Sequence, residues 1–214
     1  MTLLLVGLGP SPELRDLTRR GEEALRRARR VLVDVFTAAG GDRRCAAIED
    51  LLGHPIEQLV GPDAQLRAEL INAARGTDVA IAVAGDPLLA TPHGYLCQQA
   101  QLAGVAVEIV PGLSVATAVP SLLGWDPTAV RVVVIEDLRT LRPAEVARVL
   151  QVLDGGLGCL VIGAGRIDEP GAQWPELAAA LAQHRQAHVE LVAIDGADTA
   201  ALVTRTGRGP TTTD

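Results

Sequence analysis

The chain has no lysine; all nineteen of its basic residues are arginine. Set against twenty-six acids they leave a formal net charge of −7, which excludes the broad cationic surface that a phosphate backbone requires. Aromatic side chains are almost as scarce, with two Trp, one Tyr and one Phe in 214 residues. A stacking platform for single-stranded nucleic acid cannot be assembled from so few. No apolar stretch approaches the ~20 residues of a membrane span, so no membrane partner is expected. The opening MTLLLVGLGP is apolar but carries no basic leader and breaks at glycine and proline, which suits a buried strand better than a signal peptide and makes cytoplasm the expected location. Cys45, Cys97 and Cys159 are odd in number, widely spaced and without a CxxC pair, so neither a disulfide framework nor a zinc site is indicated. His184 and His188 form an HxxxH pair, but no Glu follows His184 and no further ligands cluster nearby, so no metal is expected.

What is present is alternation. Leu3 to Val6 is a short apolar run ending in Gly7-Leu8-Gly9-Pro10, a buried strand entering a tight turn. Thr18 can cap a helix over an arginine-rich stretch, Arg15 to Arg30, whose inward face is Ala24, Leu25 and Ala28. Seven arginines meet three acids in that stretch, which reads as a solvated helix face, with a patch for an anionic partner as the alternative. Val31 to Phe36 predicts a second strand; Ala46 to Leu52 a short helix, followed by a loop through His54-Pro55; Gln65 to Ala74 a helix; and Asp78 to Ala84 a strand ending in Gly85-Asp86-Pro87. A helix over Pro92 to Ala103 and a strand over Val105 to Val110 complete this half. Unbroken apolar strands alternating with helices predict a parallel sheet covered on both faces.

The pattern restarts after Gly112: helix 115–123, strand 132–135, helix 143–153, strand 159–162, helix 174–185, strand 188–194. We therefore expect an α/β protein of two domains with mainly parallel sheets: residues 1–112, residues 113–205, and a mobile tail over 206–214 that has no apolar face to bury.

In an open parallel sheet, ligands gather at the carboxyl ends of the strands. Three such ends here are rich in glycine and proline: Gly7-Leu8-Gly9-Pro10, Gly85-Asp86-Pro87 and Pro111-Gly112-Leu113-Ser114. Glycine lets backbone amides approach a ligand, and Asp86 adds a carboxylate that can accept from hydroxyls, a combination suited to a nucleoside-type cofactor. GLGP is only a fragment of the dinucleotide fingerprint, because Pro12 stands where the third glycine belongs. Asp34 could mimic the ribose-binding acid of nucleotide folds, although it is expected in mid-strand.

Taken in order, the three loops resemble those of the tetrapyrrole methylases. The matching features are an apolar strand into GLGP with a following LT, GDP after a strand, and a strand into PGLS; they cover roughly residues 1–138. The resemblance implies S-adenosylmethionine as cofactor, bound in a cleft between two α/β domains, and a homodimer. It places Gly9 and Pro10 toward the substrate or the cofactor edge, Gly85, Asp86, Pro87 and Leu89 along the ribose and methionine portions, and Ser114 with Val115 on the cofactor from the next loop; Thr91 and Gly112 join the same set. GDPLLATPH is similar to the diphthine synthase pattern within the superfamily, whereas LGWDPTAVRVVVIEDL resembles two other branches, the methylase-like domain found beside nucleotide pyrophosphohydrolases and the peptide backbone N-methyltransferases, and the methyl acceptor stays open.

Methyl transfer from a sulfonium needs little acid–base machinery, since its leaving group is neutral. Candidates for assisting are Asp34, Thr37, Thr91, His93 and Tyr95, with Glu136 and Asp137 after a later strand. His93 could accept a proton from an amine or amide, the alternative being a helix-start histidine satisfied locally. The competing function is a non-catalytic module that senses the cofactor or mediates dimerisation.

Overall fold

A computed structural model describes residues 1–35, 41–61, 64–135, 142–163, 174–183, 187–194 and 198–205. Thr37, Glu136, Asp137, His184 and the 206–214 tail lie outside the described residues. The contacts divide the chain into two units, Met1–Val115 and Ala116–Asp214.

The first unit runs β1 (Thr2–Gly7), α1 (Arg19–Arg27), β2 (Arg30–Asp34), α2 (Gly41–Leu52), β3 (Glu57–Leu59), α3 (Ala64–Gly76), β4 (Val79–Val83), α4 (His93–Leu102) and β5 (Ala106–Val110), with α5 (Val115–Leu122) beginning at its last residue. The strands pair in the order β3-β2-β4-β1-β5, all parallel. Both faces are covered because strand side chains alternate. Leu3 and Leu5 of β1, Leu32 of β2 and Val79, Ile81 and Val83 of β4 pack with Leu70, Ile71 and Ala74 of α3 and Leu96, Cys97 and Ala100 of α4. Leu4, Val6, Val31, Val33, Ala80 and Ala82 point the other way, onto Ala24 and Leu25 of α1 and Cys45 and Ile48 of α2. Each fully buried leucine contributes about 1.5–3 kcal/mol.

Helix α1 begins where the sequence predicts. The Thr18 hydroxyl accepts the Gly21 N–H at 3.0 Å, Glu22 lies in the first turn, and Arg26 and Arg27 occupy the last, so its charges complement the helix dipole. Arginines of this stretch, from α1 and the start of β2, find acids on neighbouring elements. Arg20 and Arg27 meet Glu108 of β5, Arg27 also meets Asp78, and Arg30 forks Glu57 of β3 at 2.6 and 2.7 Å. The bland reading of that stretch, a solvated and locally paired face, is the one these contacts favour.

The second unit contains a 3-10 turn (Pro127–Ala129), β6 (Val130–Ile135), α6 (Pro143–Asp154), β7 (Gly158–Gly163), α7 (Trp174–Ala182), β8 (Ala187–Ile194) and β9 (Asp198–Arg205). Its sheet order is β6-β7-β9-β8, parallel between β6 and β7 and antiparallel elsewhere. Val133, Ile135, Val149, Leu153, Cys159 and Val161 form its core with Leu177 and Leu181. Parallel pairing thus predominates in the protein, but this second sheet is mixed. Three differences from expectation stand out. β3 and β9 exist where no strand was predicted, and β2 ends at Asp34, with the next N–H, that of Val35, bonded to the Leu59 carbonyl at 3.2 Å, so Asp34 stands at a carboxyl end and not in mid-strand. Among the described residues no helix is long and apolar enough to cross a membrane.

Candidate cofactor site

Parallel register brings the ends of three strands side by side: Gly7 opposite Val83, and Val6 opposite Val110. From β1 the chain leaves toward α1 on one face of the sheet, and from the adjacent β4 it leaves toward α4 on the other. Adjacent strands whose connections depart to opposite faces define the switch point of an open α/β sheet, where a crevice for ligands forms.

The loops there are joined through their backbones. Leu8 donates its N–H to the Val83 carbonyl at 2.9 Å, and Gly9 and Gly85 exchange N–H···O bonds at 3.3 and 2.8 Å, forming an isolated antiparallel bridge. Both glycines sit in the left-handed region, at φ +75° and +68°. The third loop closes on this pair with no room for a side chain. A Cβ on Gly112 would lie 2.2 Å from the Gly85 carbonyl oxygen, and one on Gly7 would lie 2.3 Å from the Gly112 nitrogen. Gly112 therefore serves loop-to-loop packing in the first place. Gly85 differs, since a Cβ there meets nothing closer than the Leu113 carbonyl at 3.9 Å.

The remaining expected contact residues surround this junction. Gly9, Pro10, Gly85 and Pro87 are buried, while Asp86, Leu89, Thr91, Gly112, Ser114 and Val115 are half-buried. Asp86 Oδ1 accepts the Leu88 N–H at 3.0 Å, Leu89 N–H reaches the Asp86 carbonyl, and the Thr91 hydroxyl donates to the Pro87 carbonyl at 2.6 Å. Between them Ala90 adopts φ +58°, a left-handed conformation costly for a residue with a Cβ.

His93 opens α4, and its Nε2 lies 2.7 Å from Asp34 Oδ2, with both side chains at most 5% exposed. Strand alternation explains the meeting: Asp34 shares a face with Leu32, the face on which α4 packs. Asp34 and His93 thus face one another. Tyr95, two residues on, is 55% exposed, with the Arg67 guanidinium 5.6 Å from its ring centroid.

The sequence reading missed the residues that hold the first loop. Arg44 is fully buried on α2 and its Nη2 donates to the Pro10 carbonyl at 3.2 Å. Arg43 pairs with Glu13, Ser11 N–H bonds Asp16 Oδ2 at 3.1 Å, and Leu14 takes φ +59°. The available signal was helical spacing, which puts Arg44 on the stripe of Ile48 four residues later. Cys45, Cys97 and Cys159 are buried, and loss of hydration raises each thiol, Cys159 to about 12. Among the described residues no group of three His, Cys, Asp or Glu is arranged to hold a metal.

Against known families, the profile of the Tetrapyrrole (Corrin/Porphyrin) Methylases matches residues 2–205. The chain belongs to the tetrapyrrole methylase family. This is the family that the three loops resemble in sequence. Similar family members include a diphthine synthase of Aeropyrum pernix, 35% identical over 116 residues, and a diphthine methyl ester synthase of Eremothecium gossypii, 35% identical over 123 residues. These alignments cover 53% and 56% of this chain and 39% and 40% of those relatives, so the match spans less than half of each. In fold, a crystal structure of a diphthine synthase superposes with a TM-score of 0.80 over 96% of this tetrapyrrole methylase chain and 90% of that one, at 22% identity. A conserved hypothetical protein of Aeropyrum pernix K1 superposes at 0.78, over 98% of this chain and 86% of that one, at 23% identity.

Proposed function

We propose that the chain is an active S-adenosylmethionine-dependent methyltransferase that holds its donor on the junction of the Gly9, Gly85 and Gly112 loops. The observation that carries this reading is the backbone bridge at the switch point of a sheet in a methylase-family chain. The residues fit such a donor. At Gly85 a Cβ would meet only the Leu113 carbonyl oxygen, at 3.9 Å, and the half-buried Asp86 engages one carboxylate oxygen within its own loop and has a second for a hydroxyl. Leu89, Thr91, Ser114 and Val115 would flank it. When bound, S-adenosylmethionine supplies an electrophilic methyl with a neutral leaving group. The protein's part is to align the acceptor and keep water away, a task that Gly9 and Pro10 would share at the acceptor edge. No general base is required, and Tyr95 is a candidate for acceptor contact only.

The relatives' names direct the acceptor search to modified protein side chains first, with peptides and small molecules next. The same reading includes a homodimer acting in the cytoplasm. Calorimetric titration with S-adenosylmethionine, S-adenosylhomocysteine and NADH tests the donor: both sulfur ligands should bind at about micromolar Kd and NADH should not. Release of S-adenosylhomocysteine in a lysate of the source organism tests turnover. Binding without release would leave a cofactor-sensing module, and absence of binding would remove the donor site.

A further inference from the structure

We infer that the buried Asp34–His93 pair is a positioning device that holds the 85–92 loop in its donor-binding shape. The inference rests on the donor site proposed above. That loop is pinned at its first end by the Gly9–Gly85 bridge. Inside, it is organised by the Asp86 Oδ1 bond to Leu88 N–H, the Leu89-to-Asp86 backbone bond and the Thr91-to-Pro87 bond. These are local contacts, and they must keep Ala90 at φ +58°. A left-handed residue with a Cβ persists only where its surroundings over-determine it. At the far end that constraint comes from His93, whose N–H also reaches the Thr91 hydroxyl at 3.4 Å and whose ring is fixed to the end of β2, 59 residues away in sequence. One of the two sheet neighbours of β2 is β4, the strand that feeds the loop, so one end of the sheet secures both the entrance and the exit of the segment. Neither side chain is accessible enough to meet an acceptor, which directs the pair to geometry and away from proton transfer.

The test compares wild type, His93→Gln, His93→Leu and Asp34→Ala, with Leu70→Ala as a control for general destabilisation, since Leu70 is fully buried on α3. Gln places an amide donor at about the reach of Nε2, and Leu removes it. Two readings are taken: Kd for S-adenosylhomocysteine, and amide hydrogen exchange without ligand at Leu88, Leu89 and in β4. His93→Leu should weaken binding about tenfold to a hundredfold and speed exchange at Leu88 and Leu89 while β4 stays protected, with His93→Gln within about threefold of wild type. Leu70→Ala should lower the melting temperature without this local signature. If His93→Leu does not fold, Asp34→Ala and His93→Gln carry the same two readings, and faster exchange confined to the loop in Asp34→Ala, with His93→Gln close to wild type, supports the pair. Unchanged loop exchange in a folded variant that lacks the bond, or loss of protection spread evenly over loop and sheet, overturns it. If wild type binds neither sulfur ligand the donor reading fails, and the exchange pattern still decides whether the pair orders the loop.

Discussion

Replacing Gly112 with alanine adds one methyl group at the junction of three strand ends. The added carbon would stand 2.2 Å from the Gly85 carbonyl oxygen, 2.7 Å from the Gly7 carbonyl carbon and 2.9 Å from the Gly7 Cα, all of them backbone. Ordinary contact begins near 3.4 Å, so β5 would have to part from β1 and β4 at this end by more than 1 Å. No rotamer change can relieve the clash. Overpacking costs about 1–3 kcal/mol where side chains can adjust, and a backbone collision belongs at or above the upper end. Loss of the short Gly85-to-Gly9 hydrogen bond would add about 1 kcal/mol. We expect Gly112→Ala to lower unfolding free energy by about 3–4 kcal/mol in urea titration, and Gly112→Val by more. The contacts assign the first damage of a larger residue at 112 to the fold. An urea midpoint for Gly112→Ala equal to that of wild type would show that the three loops do not pack in this way.

Asp86→Ala removes the cap on Leu88 N–H and the oxygen offered to the donor, and should weaken S-adenosylmethionine binding by about 1–3 kcal/mol, with Asp86→Asn in between because its amide oxygen still caps the loop. Unchanged affinity in the alanine variant would take Asp86 out of the site. Gly94, the second residue of α4, has nothing within 4 Å of a Cβ position, so Gly94→Ala should stabilise by about 0.5–1 kcal/mol and raise Tm by about 1–4 °C. A drop in Tm would mean that α4 does not begin as described. Hydrogen bonds from Arg30 and Arg27 hold Glu57 and Glu108 below the ordinary glutamate value of 4.5. Their folded pKa values being lowered, these pairs contribute fully above that value and lose their contribution as pH falls through it and toward the folded pKa. Each pair is solvent-washed and worth about 0.5 kcal/mol, so Glu57→Gln should flatten the acid limb of the urea midpoint by that amount; an identical limb would refute the coupling.

Much of the first unit could be read from its letters because apolar runs and glycine-bounded turns are local signals. LLLV, VAIAV and the Thr18 cap all lie where periodicity puts them. Elements whose stability is borrowed from elsewhere were harder to see. β3 is three residues, Glu57–Leu59, with a single inward side chain, and it exists because β2 offers an edge to pair with. α2 begins at Gly41, five residues before the expected start, because its first turn is polar apart from the buried side of Arg44 and Cys45. β9, DTAALVTR, follows an Asp195-Gly196 hairpin signal in the sequence and pairs antiparallel with β8, which a continued βα alternation does not anticipate. At the site, the glycine loops were visible as motifs, but which glycine touches which was not. Asp34 and His93 were each picked out singly, and their bond depends on where β2 ends, one or two residues that pattern alone does not resolve.

The bridge between Gly9 and Gly85 has a consequence for how this protein can change over time. A support made of main-chain atoms is spelled the same way by almost any neighbouring sequence, so long as a few positions remain without a side chain. Leu89 or Leu113 can drift, and the amides and carbonyls beneath them keep their places. A TM-score of 0.80 at only 22% identity is what such an arrangement permits: one shape written in two largely different sequences.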